Sequence, residues 1–360
     1  VFAHPHLDGF FYARDFMQGF LGGQEPILPD EPVEVTAGDL FLGLDLHLDG
    51  ITAQESVLRD MWRRGVGIHF VVHDLLPVTH PHWFPAPEEG AFERWLKTIT
   101  AFDGAICVSR VTANELNAWM KRNGRSREAF QIGVVHNGAD IESSAPTKGL
   151  PPDARSILRR TGAVPSFLMV GTVEPRKGIE QALDAFELLW QQNHDVNLIL
   201  VGKQGWNIES LARRLRTHPE NGHRLFWLKG VSDEYLEALY AASACLLAAS
   251  EAEGFGLPLI EAAQHQKPVI ARDIAVFREV AGDHAEYFSA DDELDFAQHI
   301  EGWLRKYRAG QHRGSEGMPH KVWADVAREY LDLLLARDKP SALKGRPRPR
   351  HLDRTVPSEA

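Results

Sequence analysis

From Val164 onward, short apolar runs alternate with amphipathic stretches, and this alternation restricts the fold more than any other property of the chain. Residues 167–171, 196–202, 224–230, 244–249 and 268–271 read as strands buried on both faces, the pattern of a parallel sheet. Between them, 178–191 places Ile179, Leu183, Phe186 and Trp190 on one helical face. Residues 234–242 do the same with Leu236, Leu239 and Tyr240, capped by Ser232. Strand and helix in alternation predict a doubly wound α/β sheet, whose ligands bind outside the carboxyl ends of the strands. Function is therefore sought in the loops that follow each strand.

The loop after 244–249 carries the strongest signal. Glu253 and Glu261 flank seven residues that include Gly254-Phe255-Gly256 and then Pro258. Proline suits the first position of a helix, where its missing N–H would be unpaired anyway. A helix beginning at Pro258 directs the amides of Gly256 and Leu257, and the positive end of its dipole, at whatever lies above the turn. That is a place for a diphosphate. A second candidate follows the 167–171 strand, where Arg176 and Lys177 open a helix and offer phosphate oxygens a planar fork and a mobile point charge. Two cations in a loop are, taken alone, more often solvated surface; the double-glutamate turn at the same edge of the sheet reverses that preference.

The first half reads similarly, with strands at 40–44, 67–72, 104–109 and 131–135 and a helix over 112–121. A stretch rich in Gly, Pro and Ser from 136 to 152 ends this sheet. The predicted layout is a first domain at 1–150, a second at 151–320, a helix at 321–338 turning back toward the first domain, and a basic, proline-rich tail at 339–360 expected to be disordered. Before Leu40 the pattern is weak. Prolines at 26, 29 and 32 make 24–32 a loop, and the first domain is expected to lack its opening strand and glycine turn. The chain does not begin with Met and is read as a piece of something longer.

Charge and cysteine usage exclude several classes. The 39 Lys and Arg against 50 Asp and Glu give a net charge of −11, which argues against a general nucleic-acid binder. Cys107 and Cys245 lie in apolar runs, as buried thiols do in a reducing compartment, and imply no disulfide scaffold. No apolar run approaches the roughly 20 residues of a membrane span, and the first residues do not resemble a signal peptide. The expected location is cytoplasmic, at the inner face of the plasma membrane if the Lys and Arg of 344–350 meet anionic lipid.

His73 directly follows a buried strand, and alternation puts His69 and Val71 on the same face. A paired-histidine metal site competes here with a histidine that simply lines a wall; the wall is favoured, since no third ligand stands at convincing spacing. The pairs His4/His6 and His80/His82 are weak in the same way. The chain has no Asp-x-Asp, no Walker loop, no Gly-x-Gly-x-x-Gly after a strand and no Gly-x-Ser-x-Gly elbow. Kinase, dinucleotide oxidoreductase and esterase readings lose their main support.

Taken together, the 171–178 segment, the 224–236 run, the double-glutamate turn and the 268–279 run resemble the family 4 retaining glycosyltransferases of the GT-B fold, closest to bacterial mannosyl- and rhamnosyltransferases that build O-antigen and other surface polysaccharides. The first domain is similar more thinly, through 38–45, 73–77 and 105–109. The resemblance implies two facing Rossmann-like domains with the nucleotide sugar held mainly by the second. It assigns Glu261 to the donor ribose and Glu253 to the hydroxyls of the transferred sugar. The amides of Gly254, Phe255, Gly256 and Leu257 fall on sugar and phosphate, Arg176 and Lys177 on the diphosphate, Gly230 and Val231 on the nucleobase, and His73 on the donor sugar from across the cleft. Two departures stand out. Thr172 occupies a position where many relatives carry arginine, and the glycine-rich acceptor loop near the amino terminus is missing.

The implied reaction is a metal-independent, front-face displacement that retains anomeric configuration, with Arg176, Lys177 and the helix amino terminus stabilising the leaving diphosphate. No cofactor is expected beyond the donor, with GDP-mannose ahead of GDP- or dTDP-rhamnose, and the acceptor is a glycan or lipid-linked oligosaccharide. The alternative is a non-catalytic GT-B-like module of a larger polysaccharide assembly protein. A phosphorylase or epimerase is a third reading that nothing in the residues asks for.

Overall fold

The structure, a computed structural model, describes residues 2–3, 9–14, 31–125, 128–140 and 149–337. The 339–360 tail, the His4/His6 pair and most of the 24–32 loop lie outside these residues. An antiparallel pair, β1 (Phe2–Ala3) and β2 (Phe10–Phe11), stands apart from the two main sheets.

The first-domain sheet is built from β3 (Leu40–Gly43), β4 (Gly67–Val72), β5 (Gly104–Cys107) and β6 (Gln131–Val134), all parallel and in sequential order. The second-domain sheet contains β7 (Ser166–Val170), β8 (Asn197–Val201), β9 (Leu225–Leu228), β10 (Cys245–Ala248), β11 (Val269–Arg272) and β12 (Glu286–Phe288). Its six parallel strands run in the order β12-β11-β10-β7-β8-β9. That order reverses between β7 and β10. Such a switch point opens a crevice at the carboxyl ends of the two strands, and the two phosphate candidates are the loops that leave β7 and β10.

The elements follow from their residues. Ile179–Gln191 is amphipathic and buries Leu183, Phe186, Leu189 and Trp190 on one face of the second sheet. Asp233–Ala242 starts at Ser232, whose hydroxyl accepts from the Tyr235 amide at 3.3 Å. Arg110–Arg122 starts at Ser109, which accepts from Thr112 at 3.1 Å. β12 escaped the sequence reading because three residues are too short to show a period.

The chain crosses between the domains twice. The second crossing delivers the helix Trp323–Arg337, which lays Val326 and Leu334 against Ile106 and Val135 of the first domain. Val71 and Val108 from the first domain join the same core cluster as Phe255, Leu259 and Phe277 from the second, so the domains share packed apolar surface. Cys107 and Cys245 are buried free thiols, and no helix among the described residues is long and apolar enough to cross a membrane.

Candidate active site

The loop leaving β10 closes into the helix Leu257–Gln264, one residue earlier than a start at Pro258; Pro258 takes the second position. Gly256 is the cap, with φ +108°, a conformation that side chains rarely adopt, and a Cβ there would meet the Phe277 ring at 2.9 Å. Among the described residues, no protein acceptor is recorded for the amides of Gly254, Phe255, Gly256 or Leu257. They are open donors at a positive helix end.

Arg176 and Lys177 lie in a 3-10 turn, Pro175–Lys177, rather than opening the following helix, which begins at Ile179. Both reach Glu253: Arg176 Nη1 is 2.7 Å from Oε2 and Lys177 Nζ 2.5 Å from Oε1. Ser250 donates to Glu253 Oε1 at 2.8 Å, and Arg176 Nε pairs with Glu174 at 3.0 Å. Burial pushes the Glu253 carboxyl up, but Lys177 and Arg176 outweigh it and hold the group below its ordinary value. The resemblance places the glutamate on sugar hydroxyls and the cations on the diphosphate; in the structure the three bind one another.

Two further carboxylates complete the cluster. Asp74 follows His73, and burial raises its carboxyl although the Leu76 amide, 3.0 Å away, and Arg176 both favour its charge. Burial likewise raises Glu174, against Arg176 and Lys177. Asp74 was legible as the polar neighbour of His73 at a strand end; Glu174 had no signal beyond adjacency to Arg176.

The domains meet at this turn. A Cβ on Gly254 would stand 2.0 Å from the His73 carbonyl oxygen, and Thr112 Oγ1 lies 3.4 Å from the carbonyls of both His73 and Gly254. The His73 imidazole is exposed, with Nε2 3.3 Å from the Leu44 carbonyl. Glu279 reaches across the boundary to accept from the amides of Arg110 and Val111 at 2.7 and 3.1 Å, and His136 Nε2 is 2.9 Å from its Oε1. A second-domain carboxylate thus caps a first-domain helix, at the end where the dipole favours it.

Glu261 stands apart from Glu253. Its Oε2 accepts from the Tyr240 hydroxyl at 2.8 Å, and it lines a cavity of about 180 Å³ with Asp233, Leu236, Leu257 and Trp323. Gly230, at φ +62°, and Val231 follow β9 and lead through Ser232 into the helix whose Asp233 reaches this cavity. Burial raises the Glu261 carboxyl, Asp233 adds to the rise and the Tyr240 hydroxyl opposes it. A carboxyl raised on folding contributes stability below its unfolded value, near pH 4.5, that is lost as pH rises through the folded value. Glu261→Gln is therefore expected to match the parent protein at about pH 4 and to melt at a higher temperature at about pH 7. Melting curves at the two pH values check this, and a variant less stable at neutral pH would refute it.

Among the described residues no group of three or more His, Cys, Asp or Glu is arranged to hold a metal ion; His69 is buried within β4, apart from exposed His73.

Comparison with known proteins bears on this geometry. Residues 153–317 match the family described as "Glycosyl transferases group 1". Over 324 residues, 89% of the chain, the sequence is 42% identical to the serotype-specific mannosyltransferase WbdA of Escherichia coli, and it spans 39% of that protein's length. It is 36% identical to O-antigen chain mannosyltransferase B of Escherichia coli over 63% of the chain and 58% of the relative. Among solved structures, Anabaena Alr3699/HepE in complex with UDP and glucose aligns with a TM-score of 0.63 at 18% identity, covering 82% of this chain and 77% of that one. Sucrose-phosphate synthase from Thermosynechococcus elongatus aligns with a TM-score of 0.62 at 20% identity, covering 82% and 73%. At such identities the likeness speaks for the fold alone. The two facing parallel α/β domains have the GT-B architecture.

Proposed function

We propose that the chain, whose residues 153–317 match the group 1 glycosyltransferases, is a retaining hexosyltransferase that moves mannose from GDP-mannose to a growing O-antigen type polysaccharide or lipid-linked glycan. The names of its relatives favour mannose over rhamnose. The chain spans about two fifths of the WbdA relatives, and the activity belongs to one unit of a larger, multi-domain protein acting at the inner face of the membrane.

The observation that carries this reading is the convergence of Arg176, Lys177, Glu253 and the open amides of 254–257 at the switch point of the second sheet. The diphosphate of the donor takes the place of the Glu253 carboxylate on the two cations. Glu253, released, then turns to the hydroxyls of the sugar. Departure of the diphosphate builds negative charge where the cations and the helix amino terminus already stand, which is stabilisation that needs no rearrangement at the moment of bond breaking. The leaving phosphate oxygen takes the acceptor proton. His73 lines the sugar side of the cleft, Glu261 holds the ribose, and Gly230 and Val231 border the base.

A panel of nucleotide sugars tests the donor. GDP-mannose at 100 times its Kd is expected to stabilise the protein by ~2.7 kcal/mol, more than UDP- or dTDP-sugars at equal concentration. The transfer product is expected to keep the α configuration, at a rate that EDTA does not change. An inverted product, or no stabilisation by any nucleotide sugar, would sink the proposal.

A further inference from the structure

The aromatic stretch from His80 to Phe84 is not among the donor-site residues proposed above, yet it is built close to them. It follows Asp74 through the short helix Leu76–Thr79 and the turn Pro81–Trp83. His80 stacks on Trp83 with ring centroids 4.5 Å apart and planes 8° from parallel, and His82 tilts against the same indole at 4.9 Å. From the second domain, Trp206 donates its indole N–H to the Trp83 carbonyl at 2.9 Å and brings its ring to 5.7 Å from Phe84. Trp83, Phe84 and Trp206 are half-buried, while His82, Asn207 and Glu251 around them are exposed.

Two backbone hydrogen bonds lead from the neighbourhood of this cluster to the cation clamp. The Gly205 amide donates to the Val173 carbonyl at 2.9 Å, and a side chain on Gly205 would strike Glu174, the partner of Arg176. The Glu251 amide donates to the Arg176 carbonyl at 2.8 Å. Burial and then His82 lower the His80 imidazole, and the Glu251 carboxylate opposes them.

We propose that Phe84 and Trp206, with Trp83 as the support that accepts the Trp206 indole N–H, form a subsite for a hexose ring of the acceptor glycan, next to the transferred sugar. A hexose presents one face of C–H groups and an edge of hydroxyls. The first packs on aromatic ring faces; the second needs polar groups at the rim, which His82, Asn207 and Glu251 supply. No lysine or arginine belongs to the cluster, so it suits an uncharged sugar and not a phosphate. Because each domain contributes rings, the subsite is complete only when the domains face each other, and glycan binding is thereby coupled to closure over the donor. This inference rests on the glycosyltransferase reading above.

The test is calorimetric titration with mannotriose of the parent protein, Trp206→Ala and Trp206→Phe, with GDP titrated in parallel. The alanine variant is expected to bind mannotriose about tenfold more weakly and to raise the acceptor KM equally, with GDP affinity unchanged. The phenylalanine variant keeps a ring and loses only the indole N–H, so it should stay close to the parent. Equal losses in both variants would make the Trp206 to Trp83 hydrogen bond a domain clasp and overturn the subsite. Unchanged mannotriose affinity in Trp206→Ala, or an equal loss of GDP, would overturn it as well. Phe84→Leu reads the same ring contact from the first domain should the alanine variant melt early. The donor proposal fails on other grounds, absence of stabilisation by any nucleotide sugar, and the glycan titration does not depend on turnover.

Discussion

Transfer by a Glu253→Gln variant is expected to fall about a hundredfold or more in kcat while GDP binds at least as tightly as to the parent protein. Glu253 is the shared partner of Arg176 and Lys177, and it is half-buried, with 12% of its side chain exposed. Glutamine keeps the shape and removes the charge. The cations then meet an arriving diphosphate without a competing carboxylate, so ground-state binding does not suffer; the sugar loses the acceptor that orients its hydroxyls, so the transition state does. Loss of GDP binding together with transfer would instead assign Glu253 to holding the nucleotide. An unchanged kcat would remove Glu253 from the reaction, and absence of transfer by the parent itself would favour the non-catalytic module. The variant also changes acid stability. A depressed carboxyl contributes stability above its unfolded value, near pH 4.5, and that contribution is lost as pH falls through the lower folded value. Glu253→Gln should therefore show a shallower loss of stability below about pH 4.5 than the parent.

Gly254→Ala is expected to lower transfer by about a hundredfold from the opposite cause, a geometric one. The added methyl would lie 2.0 Å from the His73 carbonyl oxygen and 3.1 Å from Asp74 Cβ, where backbone faces backbone across the cleft. Neither side is a flexible side-chain end, so the domains must separate by an ångström or more. Misplacement on that scale is enough to remove a near-attack arrangement. The variant should retain GDP binding, since the proposed nucleotide site lies mainly on the second domain, and its scattering profile with GDP should be more open than that of the parent. Full activity in Gly254→Ala would show that this contact is not part of the reacting conformation.

The second domain was largely legible in the sequence, and the reason is local. β7, β8, β10 and β11 are buried on both faces along most of their length, β9 is apolar though half-buried at its end, all read as continuous apolar runs, and Ser232 stands where a cap should. The double-glutamate turn was legible because glycine and proline announce a helix start within a few residues. What could not be read depends on where two distant segments meet. Nothing near Glu279 in sequence indicates that it caps a helix beginning at Arg110, and nothing near Trp206 names Trp83 as its acceptor. The mutual pairing of Glu253 with Arg176 and Lys177 was hidden for the same reason: each motif was recognised as a ligand site, and their attraction to each other appears only when β7 and β10 lie side by side. The first domain was read more thinly because its helices Glu55–Arg63 and Ala86–Ile99 have no side-chain cap, and Leu48–Ala53 is capped by His47, a residue type that does not announce a helix start.

The helix Trp323–Arg337 seals Ile106 and Val135 of the first domain, although the entire second domain is translated before it. During synthesis, which proceeds at about 5–20 residues per second, the first domain emerges earliest and is completed last. Its apolar patch stays uncovered while the second domain is being made. A nascent chain of this protein therefore presents a landing site for chaperones in the interval, and a stall anywhere in the second domain leaves both domains unfinished.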